Sequence, residues 1–178
     1  MIFGLDVSTS IVGFTILDND GNIIVNEAWD LRKIKNLFEK ADYVRKKFRD
    51  IKVVPKYPDK VFIEQSLQSF RSGFSSAATL SLLSRFNGIV SWLCYRELGV
   101  EPSFIAATSA RKTCGITVPR GSKAKQVVLN YVIDNVPGVS ISYTRNNNPK
   151  AECYDKADSW VVARAGWVEC QKEKSLEY

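Results

Sequence analysis

The chain opens with a short apolar block, Ile2 to Val7, and further blocks follow at Val12 to Leu17 and Ile23 to Ala28. Each has strand length, and Asp18-Asn19-Asp20-Gly21 between the last two is a hairpin turn signal. The pattern predicts an antiparallel three-stranded meander. At Asp30, read as an N-cap, the period changes. Leu31, Ile34, Phe38, Ala41, Arg45 and Phe48 recur at helical spacing, with Lys33, Lys35, Lys40, Lys47 and Arg49 opposite as a solvent face. Pro55 and Pro58 end that helix. Val61-Phe62-Ile63 follows as a fully apolar run, the mark of a central strand covered on both faces.

Gln65 to Phe74 reads as a polar, glycine-containing loop, and a long helix is predicted from Ser75 to Leu98. Leu83, Phe86, Val90 and Leu93 form one apolar stripe, and Leu82, Ile89 and Trp92 widen it beyond the need of a helix with one buried face. Such a helix is either covered on two sides within its own fold or packed on a second subunit. Gly99 stops it, and Pro102 to Ala106 predicts a fifth strand. Thr108 and Ser122 are read as N-caps of two shorter helices. A loop-rich stretch, Pro137 to Lys150, holds one short candidate strand, Ser140 to Tyr143. A last helix runs from Tyr154 to Lys172. The order βββαβαβα implies one α/β domain over residues 1–178, with a mixed five-stranded sheet covered by helices on both faces.

Composition removes several chemistries. With 45% apolar and 11% aromatic residues the chain can bury a sizeable core. It has no apolar run of membrane-span length, and the opening MIFGLDVSTS lacks a signal peptide's features, so a cytoplasmic protein is expected. Cys94, Cys114, Cys153 and Cys170 are widely spaced and are expected to be free, mostly buried thiols. Histidine is absent. That excludes Ser-His-Asp triads, Cys-His pairs and His-based metal sites together. The net charge of +6 favours a polyanionic partner such as nucleic acid.

Chemistry therefore falls to carboxylates. Asp6 sits inside an apolar strand, where an unpaired charge is costly. Glu64 ends the Val-Phe-Ile strand, and the C-terminal ends of adjacent strands share the crevice where open α/β sheets carry their sites. Asp155 and Asp158 lie at i and i+3 on one face of the last helix, beside the apolar Ala157, Trp160, Val161, Ala165 and Val168. Four such oxygen donors suit Mg²⁺ or Mn²⁺, two of which can drive phosphodiester hydrolysis without a histidine base. Singly, Asp155 could be a helix cap and Glu64 the partner of a buried arginine. Asp6 has no comparable second reading.

The ordered set carries a resemblance. Gly4-Leu5-Asp6-Val7-Ser8 with Gly13, Phe62-Ile63-Glu64-Gln65 and Tyr154-Asp155-Lys156-Ala157-Asp158 together resemble the RuvC-like Holliday junction resolvases. So do Ala106-Ala107-Thr108 leading to Arg111-Lys112, and Gly121-Ser122-Lys123-Ala124-Lys125. The resemblance implies a ribonuclease H-like fold and a homodimer through the helix around Leu82 to Leu93. It implies symmetric nicking of branched, four-way DNA with Mg²⁺ or Mn²⁺, and the metal-ligand role for Asp6, Glu64, Asp155 and Asp158. It also implies DNA contacts in the region of Lys112, Arg120, Lys123 and Lys125, through salt-dependent phosphate neutralisation. Lys123 or Lys125 could further reach the cleaved phosphate. Arg71, Arg145 and Lys150 are loop candidates for the same work. One departure stands out: many members carry an aromatic residue three positions after the glutamate, where this chain has Leu67. Phe70 and Phe74 then have two readings, as a wedge at an unstacked junction step or as anchors of their own loop.

The same residues allow other functions. The start Asp6-Val7-Ser8-Thr9-Ser10 with Gly13 is shared with actin-like and sugar-kinase ATPases, but a second glycine-rich phosphate loop is missing. A ribonuclease H-like nuclease acting on other branched DNA or on RNA is a nearer rival. A basic DNA-binding module without catalysis is the third, and the complete carboxylate set argues against it. No nucleotide cofactor and no membrane partner are expected.

Overall fold

The computed structural model describes residues 1–52, 57–65 and 76–176. The meander forms as the pattern predicts: β1 (Ile2–Val7) pairs antiparallel with β2 (Ile11–Leu17), and β2 with β3 (Ile23–Asp30). Asp18 accepts from the backbone N–H of Asp20 and Asn22, and Gly21 takes a φ of 84° to close the hairpin. β4 (Lys60–Glu64) and β5 (Ser103–Ile105) add in parallel beyond β1, giving the order β3-β2-β1-β4-β5. This is the expected mixed five-stranded α/β sheet.

Alternation along the strands divides two cores. Phe3, Leu5, Val12, Phe14, Ile16, Val61 and Ile63 enter the core under α1 (Leu37–Arg49) and α2 (Ala77–Leu93). Phe14, Trp29 and Phe48 interlock there, with Phe14 and Trp29 ring centroids 4.7 Å apart. Ile2, Leu17 and Phe62 enter the opposite core, together with α5 (Ala151–Leu176) and residues of α3 (Ala107–Thr113) and α4 (Ala124–Asn135). By the same alternation positions 4, 6, 13, 15 and 64 belong to the α5 face. The helix lies directly on that face: a β-carbon at Gly4 would come 2.4 Å from the Ala163 backbone nitrogen.

Several element ends differ from expectation. Asp30 is not an N-cap. It ends β3 and binds Arg32, and Leu31 still bonds the Ser10 carbonyl, so the chain leaves the sheet later. The cap of α1 is Asn36, whose side chain accepts from the N–H of Phe38 and Glu39. Thr108 and Ser122 are not caps either; Ala106 and Lys123 hold those positions without side-chain bonds. Ser140 to Tyr143 forms no strand, only a lone bridge from Tyr143 to Pro149, while Ser142 pairs through its backbone with the Cys153 thiol. The long helix continues from α2 as a π-helical turn, Cys94–Leu98, before Gly99 ends it at a φ of 72°.

All four cysteines are free, with Cys114 partly exposed and the others buried. On α2, Phe86, Val90 and Leu93 are buried, whereas Leu82 and Trp92 are exposed, so the wide apolar face is not covered on both sides among the described residues. No described helix is long and apolar enough to cross a membrane. Leu67, Phe70, Arg71 and Phe74 lie outside the described residues.

Candidate active site

β1 and β4 are parallel neighbours, with Gly4 beside Phe62 and Leu5 beside Ile63. One step further in that register sets Asp6 beside Glu64, both on the α5 face. Asp6 is paired on its other side with Gly13 of β2. Asp155 and Asp158 project from the turn of α5 that crosses here, and both are buried at 8% exposure. Asp155 is the fifth residue of α5, beyond the free N–H groups of its first turn, so it is no helix cap. The four carboxylates predicted from the sequence thus converge from β1, β4 and α5.

Their charges act on one another. Burial raises the Asp6 carboxyl well above the ordinary range, the charges of Glu64, Asp158 and Asp155 add to the rise, and Lys125 opposes it. Burial and Asp158 push Glu64 up to about 7 against the pull of Lys125 and Arg111. Burial likewise raises Asp155 and Asp158, with Lys125 again opposing. Asp6, Glu64 and Asp158 thus each meet a neighbouring carboxylate's charge, and crowded oxygen donors of this kind are the type that hard divalent cations favour.

The cation now among them is the Lys125 ammonium, 3.6 Å from Asp155 Oδ1 and 3.4 Å from Asp158 Oδ2. Burial lowers its pKa, but Asp6, Asp158 and Asp155 outweigh that and hold it firmly protonated. Among the described residues no group of three Asp, Glu or Cys side chains is drawn around one point tightly enough to hold a metal as it stands. Lys125 keeps the α5 pair as an ion-paired unit.

Of the other basic candidates, Lys112, Arg120, Lys123, Arg145 and Lys150 are exposed, and among the described residues the ion pairs to the site carboxylates come from Lys125. Arg111 does act on it, favouring the charged forms of Glu64 and Asp158. Sequence reasoning singled out Lys112 and missed Arg111 in this role. The helical phase held the signal: Ala110 is buried, so Arg111 lies nearer the inner face of α3 and Lys112 is turned away from it. On α1, Arg45 and Arg49 pair with Glu97 and Lys47 with Glu27, as a structural surface rather than part of the site.

No protein-family model matches the sequence, and no curated protein matches it. Solved structures do. RuvC of Thermus thermophilus in complex with a Holliday junction substrate superposes with a TM-score of 0.65 at 12% identity, covering 96% of this chain and 94% of that one. The yeast mitochondrial Holliday junction resolvase Ydc2 gives 0.56 at 15% identity, over 97% and 80%. The Fowlpox virus resolvase, in complex with substrate Holliday junction DNA, gives 0.54 at 16% identity, over 95% and 97%. The chain has the ribonuclease H-like fold of the RuvC-type Holliday junction resolvases, with four acidic side chains gathered where β1, β4 and α5 meet.

Proposed function

We propose that this chain is a metal-dependent endonuclease that resolves four-way DNA junctions. The observation that carries the reading is the meeting of Asp6, Glu64, Asp155 and Asp158 on one face of a resolvase fold, where the other three carboxylates all raise the proton affinity of Asp6. These four side chains would hold two Mg²⁺ or Mn²⁺ ions. Ions bound there would supply Lewis-acid activation of a water and of the leaving oxygen of the phosphodiester. Hydrolysis leaves 5′-phosphate and 3′-hydroxyl ends.

The chain's own cations have separate tasks in this reading. With ions held by Asp155 and Asp158, Lys125 would be released from these two carboxylates, and its ammonium would neutralise charge on the cleaved phosphate. Arg111 holds the scissile strand from the Glu64 side. Lys112, Arg120 and Lys123 are exposed and bind flanking phosphates without regard to sequence. Symmetric nicking requires two active sites, and the exposed Leu82 and Trp92 of α2 provide the surface for a homodimer.

The test is cleavage of a labelled four-way junction beside a linear duplex, a flap and an RNA–DNA hybrid, with Mg²⁺ or with EDTA. Paired symmetric nicks confined to the junction and dependent on metal support the reading. Equal cutting of flaps or hybrids makes the protein a broader nuclease of the same fold, and ATP turnover without cleavage overturns the proposal. Asp6→Asn should abolish cutting while leaving junction binding intact.

A further inference from the structure

The α5 turn that carries Asp155 and Asp158 is fastened to the sheet from behind by three polar side chains. Thr15 of β2 and Ser159 of α5 are both 0% exposed. Buried hydroxyls are costly without partners, and these two bond each other, Oγ1 to Oγ, at 2.8 Å. Asn26 of β3 stands opposite Thr15 in the sheet register. Its amide donates one N–H to Thr15 Oγ1 at 2.8 Å and the other to the Lys156 carbonyl at 3.0 Å. Ser159 Oγ donates to the same carbonyl at 2.9 Å.

Counting protons fixes the directions. Ser159 gives its one proton to Lys156, so Thr15 must donate to Ser159 and accept from Asn26. The bonds close into a ring on the carbonyl of Lys156, the residue that follows Asp155 and lies within the Asp-x-x-Asp turn. The amide of Asn26 can face only one way, because both of its contacts are acceptors. Its Oδ1 is then left buried with no hydrogen-bond partner, an expense the fold retains.

Three apolar side chains of like size would hold the helix to the sheet as well. Apolar contacts, however, let a helix slide and rotate, whereas hydrogen bonds to one carbonyl fix both its height and its rotation. We propose that Asn26, Thr15 and Ser159 are positioning residues that set where Asp155 and Asp158 stand relative to Asp6 and Glu64, and so set the metal affinity of the site. The proposal rests on the reading of those four carboxylates as metal ligands. Groups that orient ligands from behind are commonly worth about 10–100-fold in metal affinity or activity.

The test is calorimetric titration with Mn²⁺ in the absence of DNA, with Asp6→Asn as the control that locates the site. Thr15→Val keeps the shape and removes the hydroxyl, Ser159→Ala removes the other, and Thr15→Ser restores the ring's donor and acceptor. Thr15→Val and Ser159→Ala should bind Mn²⁺ about tenfold more weakly or worse, and Thr15→Ser should bind as wild type does. Junction affinity in EDTA should be the same in all four proteins. Mn²⁺ affinity within twofold of wild type in both deletion variants overturns the proposal, whatever their thermal stability. Loss of folding in both would make the ring purely structural and overturn it too. Wild-type protein that binds no Mn²⁺ at Asp6 refutes the metal-site reading itself, which keeps the two failures distinct.

Discussion

The backbone carbonyl of Asp155 lies against Gly13, so closely that a β-carbon at position 13 would come within 2.0 Å of its oxygen. Gly13 is also the β2 partner of Asp6. The two carboxylate-bearing elements, β1 and α5, therefore approach each other across a residue that has no room for a side chain.

Gly13→Ala must lift or turn the start of α5. Overpacking of this kind costs about 1–3 kcal/mol, a fall of several degrees in Tm. The larger effect should be on cleavage, about 10²-fold for a displacement on the order of 1 Å. Circular dichroism melting and single-turnover cleavage measure the two separately. A variant that cuts junctions at the wild-type rate would show that the α5 carboxylates do not depend on this contact.

Glu64 gives a pH signature. Its pKa is about 7 in the folded protein against an ordinary 4.5. The folded state holds that proton more tightly, so the stability it contributes is fully present below about pH 4.5 and is lost as pH rises through about 7. Glu64→Gln has no such proton to lose. In EDTA the Tm of Glu64→Gln relative to wild type should therefore rise from pH 4.5 to 7 and level off above. A signed difference, variant minus wild type, that stays flat or falls over that interval contradicts the assignment. Saturating Mg²⁺ should reverse the order, since a ligand at a hundredfold excess over its Kd adds about 2.7 kcal/mol to the protein that binds it.

Much of this site was legible in the chain. The carboxylates stood out because Asp6 and Glu64 interrupt apolar strands, and a period of two fixes which face each strand residue takes. Their convergence on α5 follows from that alternation once the strand order is known. Caps were read less well. Asp30, Thr108 and Ser122 have the right chemistry, but the sheet holds Asp30, and the cap positions of the two shorter helices fall on Ala106 and Lys123 with no side-chain bond at all. Local propensity yields there to tertiary contact. The ring of Asn26, Thr15 and Ser159 gave no sequence signal, because it joins residues 11 and 144 positions apart. Arg111 was obscured by its neighbour Lys112, and only helical phase separates them.

Lys125 acts as the internal counter-ion of Asp155 and Asp158, so metal must compete with it. Lys125→Met should tighten Mn²⁺ binding several-fold in the absence of DNA, as titration calorimetry would read. The same substitution should slow cleavage by about 10²-fold, the usual effect of losing one group that stabilises developing charge. Weaker metal binding in the variant would mean that Lys125 organises the carboxylates instead of opposing the ions.

The outer face of α2 bears on symmetry. Leu82 is 40% and Trp92 59% exposed, and Phe38 of α1, 70% exposed, lines one groove with Trp92. Between these helices runs a groove lined by Ala41, Arg45, Gly88 and Ile89. Aromatic residues at the centre of an interface commonly carry about 2 kcal/mol or more each, so Trp92→Glu should convert a dimer to a monomer in sedimentation equilibrium. The four carboxylates lie on the other face of the sheet, so the monomer should bind Mn²⁺ as wild type does. What it should lose is coordination of the two cuts. On a cruciform plasmid, wild type should give linear product from paired nicks within one binding event, and Trp92→Glu should give nicked circles. Linear product formed by a proven monomer would separate paired cutting from this surface and move the dimer contact elsewhere.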